Sequence, residues 1–404
     1  MALVTQTFSD IITFTRASSA TYFDATGTLQ TATTDQPRFD YNPSTLAAQG
    51  LLIEEARTNL ALQSADFGTT WGQANVTVST NAVVSPDGTS NADNMLEAAT
   101  TSEHYLRQFF TGLTANTVYT TTVFVKSLNG RNLRIRVLDT DNVANGYFIT
   151  VSPSLGTVVQ SATVVGSASS VSGIITPVNG GWYRVILSGN AGASCTKYTL
   201  DFFSMDGTTN NFAGDITKGL TLFGAQLELG AFPTSYIPTT SSAVTRAADV
   251  ASVNTLSPWF NAAEGTLYAQ FLNGNDNTGQ RFAAINDGSG NNTIEIISSG
   301  TSVGPYVFVQ TGGSGQTPGP SPTTPIATNT QYKAAVAYAT NNTAGFVDGV
   351  QNMIDTTSVT IPTGLTKLQI GSQTTSTLWS NAWIQRITYY PRRLSQAEGI
   401  AITS

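Results

Sequence analysis

Apolar and polar residues alternate with a period of two along much of this chain, the pattern of strands with one buried face. Over Tyr105–Phe110 it sets Tyr105, Arg107 and Phe109 on one face and Leu106, Gln108 and Phe110 on the other. Strand runs also fall at Asn75–Ser79, Val118–Lys126, Leu133–Leu138, Gly146–Val151, Trp182–Gly189, Lys197–Met205 and Leu220–Leu229. Turn residues punctuate the gaps, as in Pro86-Asp87-Gly88, Asn129-Gly130 and Asn179-Gly180-Gly181. Short strands with turns at this spacing predict a β-sandwich over residues 63–238.

A second strand-rich unit spans 251–404. Its strands are expected at Gly265–Leu272, Arg281–Asn286, Thr293–Ser298, Tyr306–Gln310, Gln331–Tyr338, Thr343–Val347, Lys367–Gly371 and Trp383–Tyr390. Val347-Asp348-Gly349-Val350 reads as a hairpin turn, since Asp-Gly tolerates positive φ. Residues 311–329 are rich in Gly, Pro and Thr and read as an exposed loop. Only the end is helical in pattern, with Ser395 and Glu398 forming a capping box. The fold class is therefore all-β, two tandem sandwiches after a short irregular section.

That first section, 1–62, is too small and irregular for a core of its own. It is expected to lie against a neighbouring domain or another subunit. Residues 239–250 read as a linker after Pro233 and Pro238. Within it, Thr245-Arg246-Ala247 echoes Thr15-Arg16-Ala17.

Composition sharpens the class. Charged residues make up 11% of the 404, against about 25% in ordinary globular domains. Thr, Ser, Asn, Gln and Gly must supply the polar surface, and long solvated helices are disfavoured. A net charge of −7 argues against nucleic acid as a partner, which needs a basic face. Arg134 and Arg136 share one strand face and read as a solvated surface. No stretch approaches the roughly 18 apolar residues of a membrane span, so no membrane insertion is expected. A single cysteine, Cys195, allows no internal disulfide. The N-terminus lacks the basic start and apolar run of an export signal. Together these fit a protein made in a reducing cytoplasm and released by lysis.

Catalytic constellations are scarce. One histidine, His104, and one cysteine leave little for a transition-metal site. Gly300-Thr301-Ser302-Val303-Gly304 matches a nucleophile-elbow pattern but lies between two strands, in a different unit from His104. Glu295 stands alone on its strand, and Glu54-Glu55 point to opposite faces, so no strand carries the paired carboxylates of a glycosidase. Asp139-x-Asp141-x-Val143 breaks the calcium-loop pattern at its third ligand, and Asn273-Gly274-Asn275-Asp276-Asn277 reads as a turn. No catalytic residue, metal or cofactor is assigned. Aromatics beside polar or turn sequence remain as glycan-binding candidates, because sugars stack on such rings: Trp71, Tyr105, Trp259, Tyr306 and Trp379. Trp182, Trp383 and Tyr389 lie in apolar strands and are assigned to cores.

Three groups of residues carry a family resemblance. Phe14-Thr15-Arg16-Ala17-Ser18-Ser19-Ala20-Thr21-Tyr22, Pro37-Arg38-Phe39 and Gly50 to Leu60 resemble a leader found in tailed-bacteriophage virion structural proteins. Ser85-Pro86-Asp87-Gly88-Thr89, Gly180 to Val185 and Phe223 to Gly230 are similar to jelly-roll carbohydrate-binding modules of such proteins. Gly265-Thr266-Leu267, Val347-Asp348-Gly349 and Ile384 to Ser395 resemble a concanavalin A-like, or laminin G-like, sandwich. The resemblance implies a tail fibre, head fibre or capsid decoration located in the virion. Its implied partners are other virion proteins, itself as a homotrimer, and host cell-surface glycans. Jelly-roll modules often hold a structural calcium near their last strand, but Ala225-Gln226 stands there in this chain. The competing readings are a polysaccharide depolymerase and a ligand-free capsid cement protein.

Overall fold

The computed structural model describes residues 8–275, 279–299, 304–319, 325–374 and 378–404. The Gly300–Val303 part of the nucleophile-elbow pattern, Asp276-Asn277 of the Asn-rich turn and part of the 311–329 loop lie outside these residues. Strands hold 52% of the chain and helices 4%, so the protein is all-β.

The first sandwich packs two sheets. One runs in the order Thr157–Val165, Gly146–Ser152, Asn132–Asp139, Tyr198–Met205, Thr101–Phe110 and Asn211–Ala213, with Gly72–Ala74 also pairing Thr101–Phe110. The other runs Ser169–Val178, Trp182–Asn190, Tyr119–Leu128, Gly219–Leu229, Ala92–Glu97 and Val76–Val83. The inward faces meet in a core that includes Leu106, Val123, Ile135, Val137, Tyr147, Leu200, Phe202 and Leu222. Alternation puts the neighbouring positions on the outer faces.

The second sandwich recruits the start of the chain. Thr13–Thr15 forms the edge of one sheet, beside Val250–Val253. Ala48–Ile53 and Phe39–Tyr41 extend the other beyond Ala382–Tyr390. The alternation across Leu51 and Ile53 buries both in that sandwich's core. Ile53 lies against Gly371, where φ is +71° and a Cβ would come within 2.8 Å of the isoleucine; only glycine meets both demands. At the other end the Ser395 hydroxyl caps the Gln396–Thr403 helix and Glu398 completes the box. Asp348 and Gly349 take φ of 45° and 76° between paired Val347 and Val350, the geometry the Asp-Gly turn demands.

The segment expected as a linker is instead built into the structure. Val244–Arg246 pairs with Arg57–Asn59. Arg246 and Asp249 are fully buried in a five-charge knot with Arg16, Arg38 and Glu54. Asp249 accepts from Arg16 Nη1 at 3.0 Å, from Arg38 Nη2 at 2.5 Å and from the Glu54 backbone N–H at 2.9 Å. Glu54 holds Arg38 at 2.8 Å and Arg246 at 3.5 Å. Burial alone would raise the Glu54 carboxyl, but the Arg246 and Arg38 charges outweigh it and bring it down to about 2. The two echoing Thr-Arg-Ala triplets thus aim their arginines at the same aspartate, Asp249, though Arg246 reaches it only at 3.9 Å.

Candidate functional site

The outer face of the first sandwich's Thr157–Val165 to Asn211–Ala213 sheet brings aromatic and charged groups together. Register places Tyr105 beside Phe203, Phe203 beside Arg134, and Arg134 beside Thr150. One pleat along, Arg107, Asp201, Arg136 and Phe148 form the adjacent row. Phe109 extends the first of these strands and is 63% exposed. At strand spacings near 4.8 Å, four strands make a face about 14 Å wide.

Charge organises this face. Asp201 is fully buried beneath two guanidiniums, with Arg107 Nε at 2.5 Å and Arg136 Nε at 2.9 Å. Its hydrogen bonds hold the Arg107 guanidinium above its ordinary pKa. Arg134 differs: it bonds to Thr150 Oγ1 and Gln160 Oε1, and among the described residues it has no carboxylate partner. Burial and the neighbouring Arg136 charge lower its pKa. Each cation also lies over a ring, Arg136 4.4 Å from the Phe203 centroid, Arg134 4.6 Å from Phe148 and Arg107 4.8 Å from Tyr105. Planar donors backed by rings, Arg107 and Arg136 tied by Asp201 and Arg134 by Thr150 and Gln160, are held in fixed orientations. Such a surface suits an oxygen-rich, weakly hydrophobic ligand such as a saccharide.

The five aromatics singled out by sequence are not brought together. Tyr105 alone belongs to this face. Trp71 is 2% exposed and stacks on Phe202 at 5.1 Å inside the first core, so its turn-rich neighbourhood misled: the ring packs inward between Phe67 and Phe202. Trp259 and Trp379 pack onto the second core, Trp259 against Tyr389 and Trp379 with its indole N–H donated to the Asp249 carbonyl at 2.9 Å. Tyr306 is half-buried, its hydroxyl 3.1 Å from Ser299 Oγ. In the other direction, Trp383 is not a core residue. It lines a cleft between the two sandwiches and donates to Asp40 at 2.7 Å.

Sequence reading passed over Asp201, Phe148 and Phe203. The signal present was the Arg134/Arg136 spacing; what it lacked was the register that sets a carboxylate between Arg107 and Arg136. His104 is buried, with Nδ1 2.8 Å from the Asn75 carbonyl and its ring on Phe212. Among the described residues no three or more His, Cys, Asp or Glu side chains gather as metal ligands would.

No family model and no curated protein matches this chain. Solved structures give distant likenesses. The CBM40 domain of the Ruminococcus gnavus IT-sialidase is 17% identical over 36% of this chain and 84% of its own, with a TM-score of 0.31. Domain 4 of AbnA, a GH43 extracellular arabinanase from Geobacillus stearothermophilus, is 11% identical over 42% and 81%, at 0.32. Domains LG4-5 of the mouse laminin alpha1 chain are 10% identical over 74% and 90%, at 0.22. At these scores they add nothing to the chemistry of the site.

Proposed function

We propose that this chain is a glycan-binding structural protein of a tailed-phage virion, in which the outer face bearing Tyr105, Arg107, Phe109, Arg134 and Arg136 contacts host-surface saccharides. The observation that carries the reading is the fixed array of ring-backed guanidiniums, with Arg134 left without a carboxylate partner among the described residues. Preorganised planar donors bind sugar hydroxyls without first paying to order their own side chains. The virion assignment rests on the leader resemblance at residues 14–22, 37–39 and 50–60.

A glycan array on the full chain tests the binding half. The wild type is expected to bind host-surface polysaccharide, with Arg134→Gln and Phe109→Ala each weakening it about tenfold while thermal stability stays put. A blank array at millimolar sugar sinks the glycan reading. Immuno-electron microscopy of particles with an antibody to the chain tests the location, and unlabelled particles sink that half.

A second reading, a cement protein without a glycan ligand, is favoured by a different observation. No charged residue occurs between Asp141 and Arg184. Thr157–Val165 and Ser169–Val178, the free edges of both sheets on one side, fall in that stretch. Edge strands without charges are open to pairing with another chain, a homotrimer being the assembly we propose. Firm capsid binding together with a blank array would favour this reading, and light scattering reports the stoichiometry.

A further inference from the structure

A cleft of about 1010 Å³ separates the two sandwiches, at the upper end of the about 300–1,000 Å³ usual for small-molecule sites. One wall is the outer face of the first sandwich's Ser169–Val178 to Val76–Val83 sheet; the other is the second sandwich with the early part of the chain. Arg184, Ile174 and Ile186 project from the first wall, and Trp383, Gln385 and Asp40 from the second.

Arg184 is the anomaly here. It donates through Nη2 to the Thr234 carbonyl at 2.7 Å and to Thr122 Oγ1 at 3.2 Å, both neutral acceptors. Its Nε is buried without a partner, and among the described residues it forms no ion pair. Burial lowers its pKa, whereas Arg38, fully buried, has two carboxylates and is raised.

The nearby carboxylates are already occupied. Glu228 accepts from Gln226 and twice from Thr234, at 2.7–2.8 Å. Glu54 serves Arg38, Arg246 and Ser235. Asp40 accepts from the Phe23 N–H and the Trp383 indole, both at 2.7 Å. A partly desolvated guanidinium with only neutral acceptors is a costly arrangement that an incoming anion would relieve.

The rest of the cleft defines the anion's chemistry. Ile174, 50% exposed, and the Trp383 ring offer apolar surface. Ser172, Thr176, Gln331 and Gln385 offer uncharged hydroxyls and amides. Apolar patches beside neutral hydrogen-bonding groups match a sugar ring better than an acidic peptide, whose amide backbone would need a matching ladder.

We propose that this cleft is a second binding site, independent of the outer face, for a saccharide bearing a carboxylate, with Arg184 as the group that receives the acid. The experiment is isothermal titration of the full chain with trigalacturonate, with neutral galactotriose and triglutamate as comparators. Trigalacturonate is expected to bind, and galactotriose to bind at least about tenfold more weakly. Arg184→Gln should weaken trigalacturonate about tenfold or more. Ile174→Trp, which fills the cleft from an exposed position and leaves Arg184 in place, should do likewise with an unchanged melting temperature. That second variant keeps the test decisive if Arg184→Gln folds poorly.

No trigalacturonate binding overturns the proposal, as does binding that neither variant weakens. Equal affinity for triglutamate overturns the saccharide class. Loss through Arg134→Gln but not Arg184→Gln would move the ligand to the outer face, overturning the cleft site while leaving the glycan-binding reading standing. A blank glycan array with trigalacturonate still lost through Arg184→Gln would do the reverse.

Discussion

Asp249→Asn removes the anion that most of the buried knot converges on. In the wild type three guanidiniums, Arg16, Arg38 and Arg246, face two carboxylates, Asp249 and Glu54. The substitution leaves Glu54 alone against all three. It also turns one acceptor oxygen into an amide N–H pointing at a donor, either Arg16 Nη1 or Arg38 Nη2. Exchanging a whole buried ion pair for apolar groups is often neutral, but deleting one partner strands a desolvated charge and costs about 3–5 kcal/mol. At about 2–4 °C per kcal/mol for a unit of 150–250 residues, the melting transition should fall by roughly 6–20 °C. Arg16→Met should cost less, because Asp249 would keep Arg38 and the Glu54 N–H. Differential scanning calorimetry on the full chain, with both variants side by side, reads the effect. A shift under about 2 °C for Asp249→Asn, or a larger one for Arg16→Met, refutes the reasoning that the knot's stability rests on its central carboxylate.

Two further predictions use other parts of the molecule. Burial pushes the Asp40 carboxyl up to about 6, although bonds from the Phe23 N–H and the Trp383 indole pull it down. The folded chain therefore holds this proton more tightly than the unfolded one. The stability Asp40 lends is full below about pH 4 and lost as pH rises through 6, at most about 3 kcal/mol. Tryptophan fluorescence should show a step near pH 6 that vanishes in Asp40→Asn, and a step surviving that substitution would remove Asp40 as its source. Trp71→Ala, which empties a ring-sized space beside Phe67 and Phe202, should cost about 3–5 kcal/mol in denaturant unfolding; a loss below 1 kcal/mol would mean the ring is not a core group.

Most strands with β-branched or aromatic alternation were legible to within a residue or two, but Thr101–Phe110 starts four residues before the expected Tyr105 and Val76–Val83 runs four past the expected Ser79. Thr293–Ser298 and Thr343–Val347 fall where the pattern puts them. Thr157–Val165 and Ser169–Val178 were missed, because as edge strands half open to solvent their Ser, Gly and Val follow no clean period of two. Ala92–Glu97 was missed for the opposite reason: Asp93 and Glu97 point inward, Asp93 to the Phe67 and Asn81 N–H groups and Glu97 to Arg131 and Ser204. Buried carboxylates imitate surface residues in a hydropathy pattern. The knot left a trace in the repeated Thr-Arg-Ala, but its meeting point at Asp249 depends on two chain segments more than 200 positions apart. The outer face was half visible for the same kind of reason, since one strand supplied Arg134 and Arg136 while register supplied Asp201.

The strands near the start of the chain that complete the second sandwich have a consequence for biosynthesis. Asp40 and Trp383, hydrogen-bonded in the finished protein, lie 343 positions apart. At about 5–20 residues per second, a ribosome needs roughly 20–70 s to travel between them. For most of that interval Leu51, Leu52 and Ile53 have been made but the strand they pair with, Ala382–Tyr390, has not, while the first sandwich has time to fold in between. The last domain can therefore close only around a segment translated long before it, which makes the waiting nascent segment the natural client for a chaperone and the vulnerable point for aggregation when expression is fast.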